Sequence, residues 1–205
     1  MSTESRAYIV YVATAPGLTS HIMAVERVQQ RLHKATAALD TAGIPYAVVG
    51  GNAVATWVGH VDPGATRATK DVDLLVRRTD TARITDVLTA LGFVREDVRD
   101  IVLFIDPEEP SKKAGVHLVW ASEKIRPSYP VPSPSVDEAV RDPDGFLLVD
   151  LPALVRMKLT SFRDIDRVHV ADMLAVGLVD SAVRASLPLE LLGRLAQVEE
   201  AGIDT

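Results

Sequence analysis

The sequence predicts an α+β protein: a mixed sheet flanked by helices, then a helical C-terminal part. Three observations carry this expectation. Short apolar runs of strand length recur at residues 47–49, 74–76, 101–105 and 116–120. Apolar residues spaced by three and four fill the stretches around them, as on one face of a helix. From Asp150 onward the helical spacing takes over. The chain has 205 residues, 47% hydrophobic and 24% charged, enough for one sizeable core or a core with a helical appendage.

Residues 7–13 are apolar but short, and residues 16–20 show no cleavage pattern, so residues 1–22 read as a leading strand or arm and not as a signal peptide. Helical spacing starts at Met23, with Val25, Val28, Leu32, Ala35 and Leu39 on one face. Gly43 closes this helix, and Pro45 cannot continue it. The strand over 47–49 meets a Gly50-Gly51 turn and a short helix over 52–57. A loop over 59–69 leads to the strand opened by Asp71 and Asp73; loops of this length in compact domains are often functional. Thr79 or Asp80 caps the next helix, which buries Ile84, Val87, Leu88 and Leu91 and ends at Gly92. The runs over 101–105 and 116–120, joined by a polar turn, predict an antiparallel pair. Residues 126–134 hold four prolines and read as an irregular crossover, and residues 146–149 as an edge strand. Asp150 caps a helix with Pro152 in its first turn and Leu154, Val155, Leu159 and Phe162 facing inward. Further helices are expected over about 166–176 and from Ser186 and Pro188 onward, the last with Leu189, Leu192 and Leu195 on one face. The expected organisation is an arm over 1–22, a core over 23–149 and a helical region over 150–205 packed on it.

Composition excludes several chemistries. Without cysteine there is no disulfide framework, thiolate nucleophile or Cys-based zinc site. The five histidines lack zinc spacing, and no Walker loop, nucleophile elbow or dinucleotide fingerprint is present. No apolar run reaches the ~18 residues of a membrane span, so no membrane partner is expected and the cytoplasm is the default compartment. The net charge of −6 argues against broad nucleic-acid coating.

One stretch concentrates the chemistry. Asp71 and Asp73 are two apart, so on a strand they share a face with Cα atoms roughly 6.6 Å apart. They precede the apolar Leu74, Leu75 and Val76, and two repelling acids opening a buried strand lower stability unless a cation compensates. A hard divalent ion such as Mg²⁺, with Mn²⁺ the alternative, suits carboxylate oxygens. Gly50 and Gly51 let backbone N–H groups approach an anion at a helix start, beside Asn52. Arg67 and Lys70 lie on the loop before the acids, where they either neutralise those carboxylates or meet substrate phosphate.

A Gly-Gly turn, a spacer and Asp-x-Asp opening an apolar strand resemble the nucleotidyltransferase superfamily, the DNA polymerase beta-like fold. Within it the chain looks most like the small bacterial proteins related to abortive-infection toxins. The run from Met157 to Asp172, with Lys158, Arg163, Asp164 and Asp166, is similar to the Lys…Arg-Asp…Asp segment of that group. The resemblance covers roughly residues 25–175. It implies that Gly50, Gly51 and Asn52 hold NTP phosphates, that Asp71 and Asp73 hold Mg²⁺, and that Lys158 reaches the phosphates; the other charges near Lys158 read as helix-surface pairs. It further implies transfer of a nucleoside monophosphate to an acceptor hydroxyl on RNA, protein or a small molecule, in a toxin paired with an antitoxin. The family's third carboxylate sits on a later strand, and the matching position here is His117. Three readings stay open: His117 as an altered catalyst or metal ligand, Asp106 as a relocated acid, or a nucleotide-binding domain without transfer.

Overall fold

A computed structural model describes residues 16–203. The expected strand or arm over 7–13 lies outside the described residues. Strands β1 (Tyr46–Val49), β2 (Val72–Val76), β3 (Val94–Val98), β4 (Ile101–Ile105), β5 (Val116–Trp120), β6 (Ala139–Arg141) and β7 (Leu147–Val149) form one sheet in the order β3-β4-β5-β2-β1-β7-β6. The pairs β2–β5 and β1–β7 are parallel and the rest antiparallel, so the sheet is mixed and the class α+β. The helices are α1 (Pro16–Thr41), α2 (Gly50–Val61), α3 (Thr81–Ala90), α4 (Leu151–Ser161), α5 (Asp164–Ala175), α6 (Ser181–Ser186) and α7 (Leu189–Ile203).

The first helix is described from Pro16, ahead of the Met23 expected. Its stripe of Val28, Leu32, Ala35 and Leu39 is buried, while Val25 is exposed. The Gly-Gly pair is not a separate turn. It is the first turn of α2, which runs on to Val61 and is latched to β7 by Trp57, whose Nε1–H donates to the Val149 carbonyl at 3.0 Å. The loop before β2 shortens accordingly and contains a 3-10 turn at Pro63–Ala65. Burial alternates along β5, with Val116, Leu118 and Trp120 buried and His117 and Val119 half-buried. Asp150 caps α4 as expected, its side chain accepting from the Ala153 N–H at 2.8 Å.

Several expectations need correcting. Residues 146–149 are not an edge strand: β7 lies between β1 and β6, and the three-residue β6 is the edge. Of the two expected caps of α3, Asp80 holds the N-cap position but its side chain makes no capping bond, and Thr79 sits inside a 3-10 turn (Arg78–Asp80). In α7 the buried residues are Leu191, Leu195 and Val198, whereas Leu189 is 82% exposed and Leu192 is also exposed. The buried stripe runs i, i+4, i+7 from Leu191 and shares only Leu195 with the expected one. Strand β3, with the polar sequence Val-Arg-Glu-Asp-Val, forms because it pairs along its whole length with β4.

Candidate active site

The sheet register builds the site. Asp73 on β2 lies opposite Val49 on β1 and His117 on β5, so the strand that ends in α2 and the strand that carries the histidine flank it on either side. Period-two alternation then puts the His117 ring on the face opposite Val116 and Leu118. His117 Nδ1 is 3.6 Å from Asp73 Oδ1 and 3.8 Å from Asp71 Oδ2. Among the described residues these three side chains form the one cluster with metal-ligand potential, their ligand atoms all within 4.8 Å. Asp106 is not part of it. That residue follows β4, accepts from the Glu108 N–H, and lines a small cavity with Arg31 and Glu109.

The Gly-Gly start of α2 touches the same carboxylates. Gly50 has φ +70°, and a Cβ there would stand 2.0 Å from Asp73 Oδ2; a Cβ on Gly51 would stand 2.8 Å from Thr69 Oγ1. Only glycine admits both the left-handed backbone and this approach. No side chain caps the helix start, which lies beside Asp73, and the positive end of the helix dipole sits at that start. The Asn52 side chain is buried and its amide donates to the Asp71 carbonyl at 2.6 Å, so it fixes backbone beside the site.

Supporting contacts orient each group. Thr69 Oγ1–H donates to Asp71 Oδ1 at 2.9 Å and leaves Oδ2 toward His117. His117 Nε2 is 2.8 Å from the Lys112 carbonyl. A carbonyl only accepts, so Nε2 carries a proton and Nδ1 is the atom offered to the carboxylates. Asp73 foremost, with the Lys112 carbonyl and Asp71, raises the His117 pKa above its ordinary value against the opposing effect of burial. Positive charge on the ring would offset the repulsion of the two acids.

Lys158 is 5% exposed on α4 and does not snorkel to the surface. Its Nζ is 3.4 Å from Asp166 Oδ1. Burial foremost pushes its pKa down, with Asp166 and then Asp73 opposing. Asp166 is fully buried and so is no helix-surface charge. It accepts from Ser161 Oγ at 2.7 Å and from Arg163 Nε at 2.7 Å. Burial pushes its carboxyl up, but Arg163, Lys158 and Ser161 outweigh that and hold it below the ordinary value. Arg67 is drawn away from the acids: its guanidinium binds Asp172 on α5 through Nε at 2.6 Å and Nη2 at 3.0 Å. Lys70 is exposed, and its carbonyl accepts from the buried Arg31 at 3.4 Å.

The cluster fits a divalent ion. Ligands held about 2.1 Å from one ion lie about 3.0–4.2 Å apart, so small side-chain movements close Asp71, Asp73 and His117 on it. Sequence reasoning missed Thr69, the Lys112 carbonyl and the burial of Asp166. The first had a signal in Thr-x-Asp, whose hydroxyl reaches a carboxylate two residues on; the second, a backbone atom, had none.

A family model described as an uncharacterised nucleotidyltransferase matches residues 19–137, more than half of the chain. Among solved structures, an antigenic nucleotidyltransferase-like protein from Paracoccidioides brasiliensis is 16% identical, with a TM-score of 0.56 over 88% of this chain and 91% of that one. A lincomycin-bound lincosamide antibiotic adenylyltransferase is 10% identical, with a TM-score of 0.52 over 72% of this chain and 97% of its own. ANT(2'')-Ia in complex with adenylyl-2''-tobramycin is 17% identical, with a TM-score of 0.50 over 86% and 98%. At these identities the likeness is one of fold. No match is found among curated proteins. Among the described residues no helix is long and apolar enough to cross a membrane.

Proposed function

The chain belongs to the uncharacterised nucleotidyltransferase family, and from that premise we propose that it moves a nucleoside monophosphate from an NTP to an acceptor hydroxyl. The observation that carries this reading is the meeting of Asp71, Asp73 and His117 against the Gly50 start of α2. The acceptor oxygen bonds to the α-phosphorus, pyrophosphate departs, and the acceptor proton leaves to solvent. Asp71 and Asp73 would hold the divalent ion, Mg²⁺ or Mn²⁺, which when bound polarises the phosphoryl group and offsets charge on the leaving pyrophosphate. The first-turn N–H groups at Gly50 and Gly51 bind phosphate oxygens, and Asn52 keeps that turn fixed to the acidic strand. Lys158 supplies positive charge behind Asp73. Arg67 is held by an exposed ion pair, which is weak enough to exchange for a phosphate; Lys70 adds a second charge on the same loop.

The net charge of −6 supports a neutral or cationic acceptor over RNA. The physiological setting we propose, on the sequence resemblance alone, is a toxin held by an antitoxin, tested by growth arrest on expression that Asp73→Asn relieves. Transfer is tested with α-labelled NTPs, divalent ions and a panel of acceptors: aminoglycosides, lincosamides, RNA and the protein itself. Label should move, and Asp73→Asn should lower the rate on the order of 10²-fold or more. A second reading, nucleotide binding without transfer, is favoured by the histidine at the third-carboxylate position; NTP binding with no label moved to any acceptor would establish it.

A further inference from the structure

We propose that His117 is itself a metal ligand through Nδ1, and that the resulting set of one imidazole nitrogen and two carboxylates selects a borderline transition ion such as Mn²⁺ over Mg²⁺. The inference rests on the metal edge proposed above and adds the identity of the ion. Its basis is geometric. The Lys112 carbonyl fixes the proton on Nε2, which leaves the Nδ1 lone pair as the only ring acceptor. Nδ1 is the atom that faces Asp73 Oδ1 and Asp71 Oδ2, at 3.6 and 3.8 Å. The Nδ1 lone pair so placed converges with two carboxylate oxygens on one point, the arrangement of three donors around a shared cation. The carbonyl contact to the distal nitrogen is the arrangement that fixes the ring of a ligating histidine and raises its basicity.

The donor set decides which ion. Mg²⁺ prefers oxygen ligands and water, whereas imidazole nitrogen suits softer first-row divalent ions. Three protein ligands on one side leave further coordination positions free for water or phosphate oxygens. The face opposite Val116 and Leu118 is only half-buried at His117, so water or phosphate oxygens could reach an ion held there.

The test uses Mn²⁺ alone, added to the whole protein without nucleotide. Pulsed electron paramagnetic resonance should show nitrogen coupling to the bound Mn²⁺, lost in His117→Asp. By calorimetric titration the ratio of Mg²⁺ to Mn²⁺ dissociation constants should fall about tenfold in that variant, and circular dichroism should show it folded. The wild-type nitrogen signal needs no variant to fold. Mn²⁺ bound without nitrogen coupling, or an unchanged ratio, would overturn the inference while leaving Asp71 and Asp73 as the metal edge. Mn²⁺ binding that is absent, or indifferent to Asp73→Asn, would overturn the metal edge and this inference together.

Discussion

Gly50 and Asp73 hold each other in place, and that contact is open to a single substitution. Gly50→Ala puts a side chain at φ +70°, which costs about 1–2 kcal/mol for backbone alone, and drives a methyl group into the Asp73 carboxylate. The variant should melt lower and bind divalent ions weakly, as Asp73→Asn does; a Gly50→Ala protein with wild-type metal affinity would show that the carboxylate has another place to sit. Lys158 gives a second test. If its charge serves a triphosphate, Lys158→Met should weaken NTP binding by about 1.5–3 kcal/mol and affect monophosphate binding much less; equal losses would assign it to packing with Asp166. Asp71 and Asp73 were legible in sequence because period-two alternation puts both on one strand face, whereas His117 was singled out by the resemblance to the superfamily, at the position of its third carboxylate. Asp166 was not legible, because its charge says nothing of burial until α4 and α5 are packed, and its partner Lys158 lies on the preceding helix.

At the scale of elements, the legible pieces were those whose own pattern carries them: α1, β4, β5 and the capped α4. Strands β3 and β6 exist through their partners, β4 and β7, and their residues show no apolar alternation to announce them. Helix α6 is six residues long and is defined by its cap, Asp180 accepting from the Val183 N–H, more than by any stripe. Helix α5 carries a prediction of its own. His169 is buried with Nδ1 unpartnered, facing Lys158, Arg163, Asp166 and Asp172, and burial, then Lys158, pushes its pKa down to about 4. The unfolded chain therefore binds the extra proton first. Stability from neutral His169 is complete above the ordinary value of about 6.5 and is lost as pH falls toward 4. Denaturant titrations should show wild type losing up to about 3 kcal/mol more than His169→Asn between pH 7 and 4. Parallel losses would mean that His169 titrates as in the unfolded chain.

Over the whole molecule, the fold class followed from the order of the patterns, but strand order did not, since nothing local tells β7 to slip between β1 and β6. A continuous apolar cluster runs from Val28 through the sheet to Leu191, Leu195 and Val198 on α7. Arg194 on α7 donates through Nη1 to the Leu159 and Thr160 carbonyls, both at 2.7 Å, at the end of the helix that carries Lys158. We therefore expect one cooperative unfolding transition. The two tryptophans, Trp57 and Trp120, both fall within residues 23–149, so their fluorescence reports the sheet, while far-UV circular dichroism also reports α4, α5 and α7. The two signals should coincide in wild type. In Arg194→Ala both midpoints should drop together, by about 1–3 kcal/mol of stability for carbonyls left without their charged donor. A circular dichroism transition that precedes the fluorescence change would instead make the C-terminal helices a separate folding unit. Lys158 would then reach the acidic edge from an element that can detach from it.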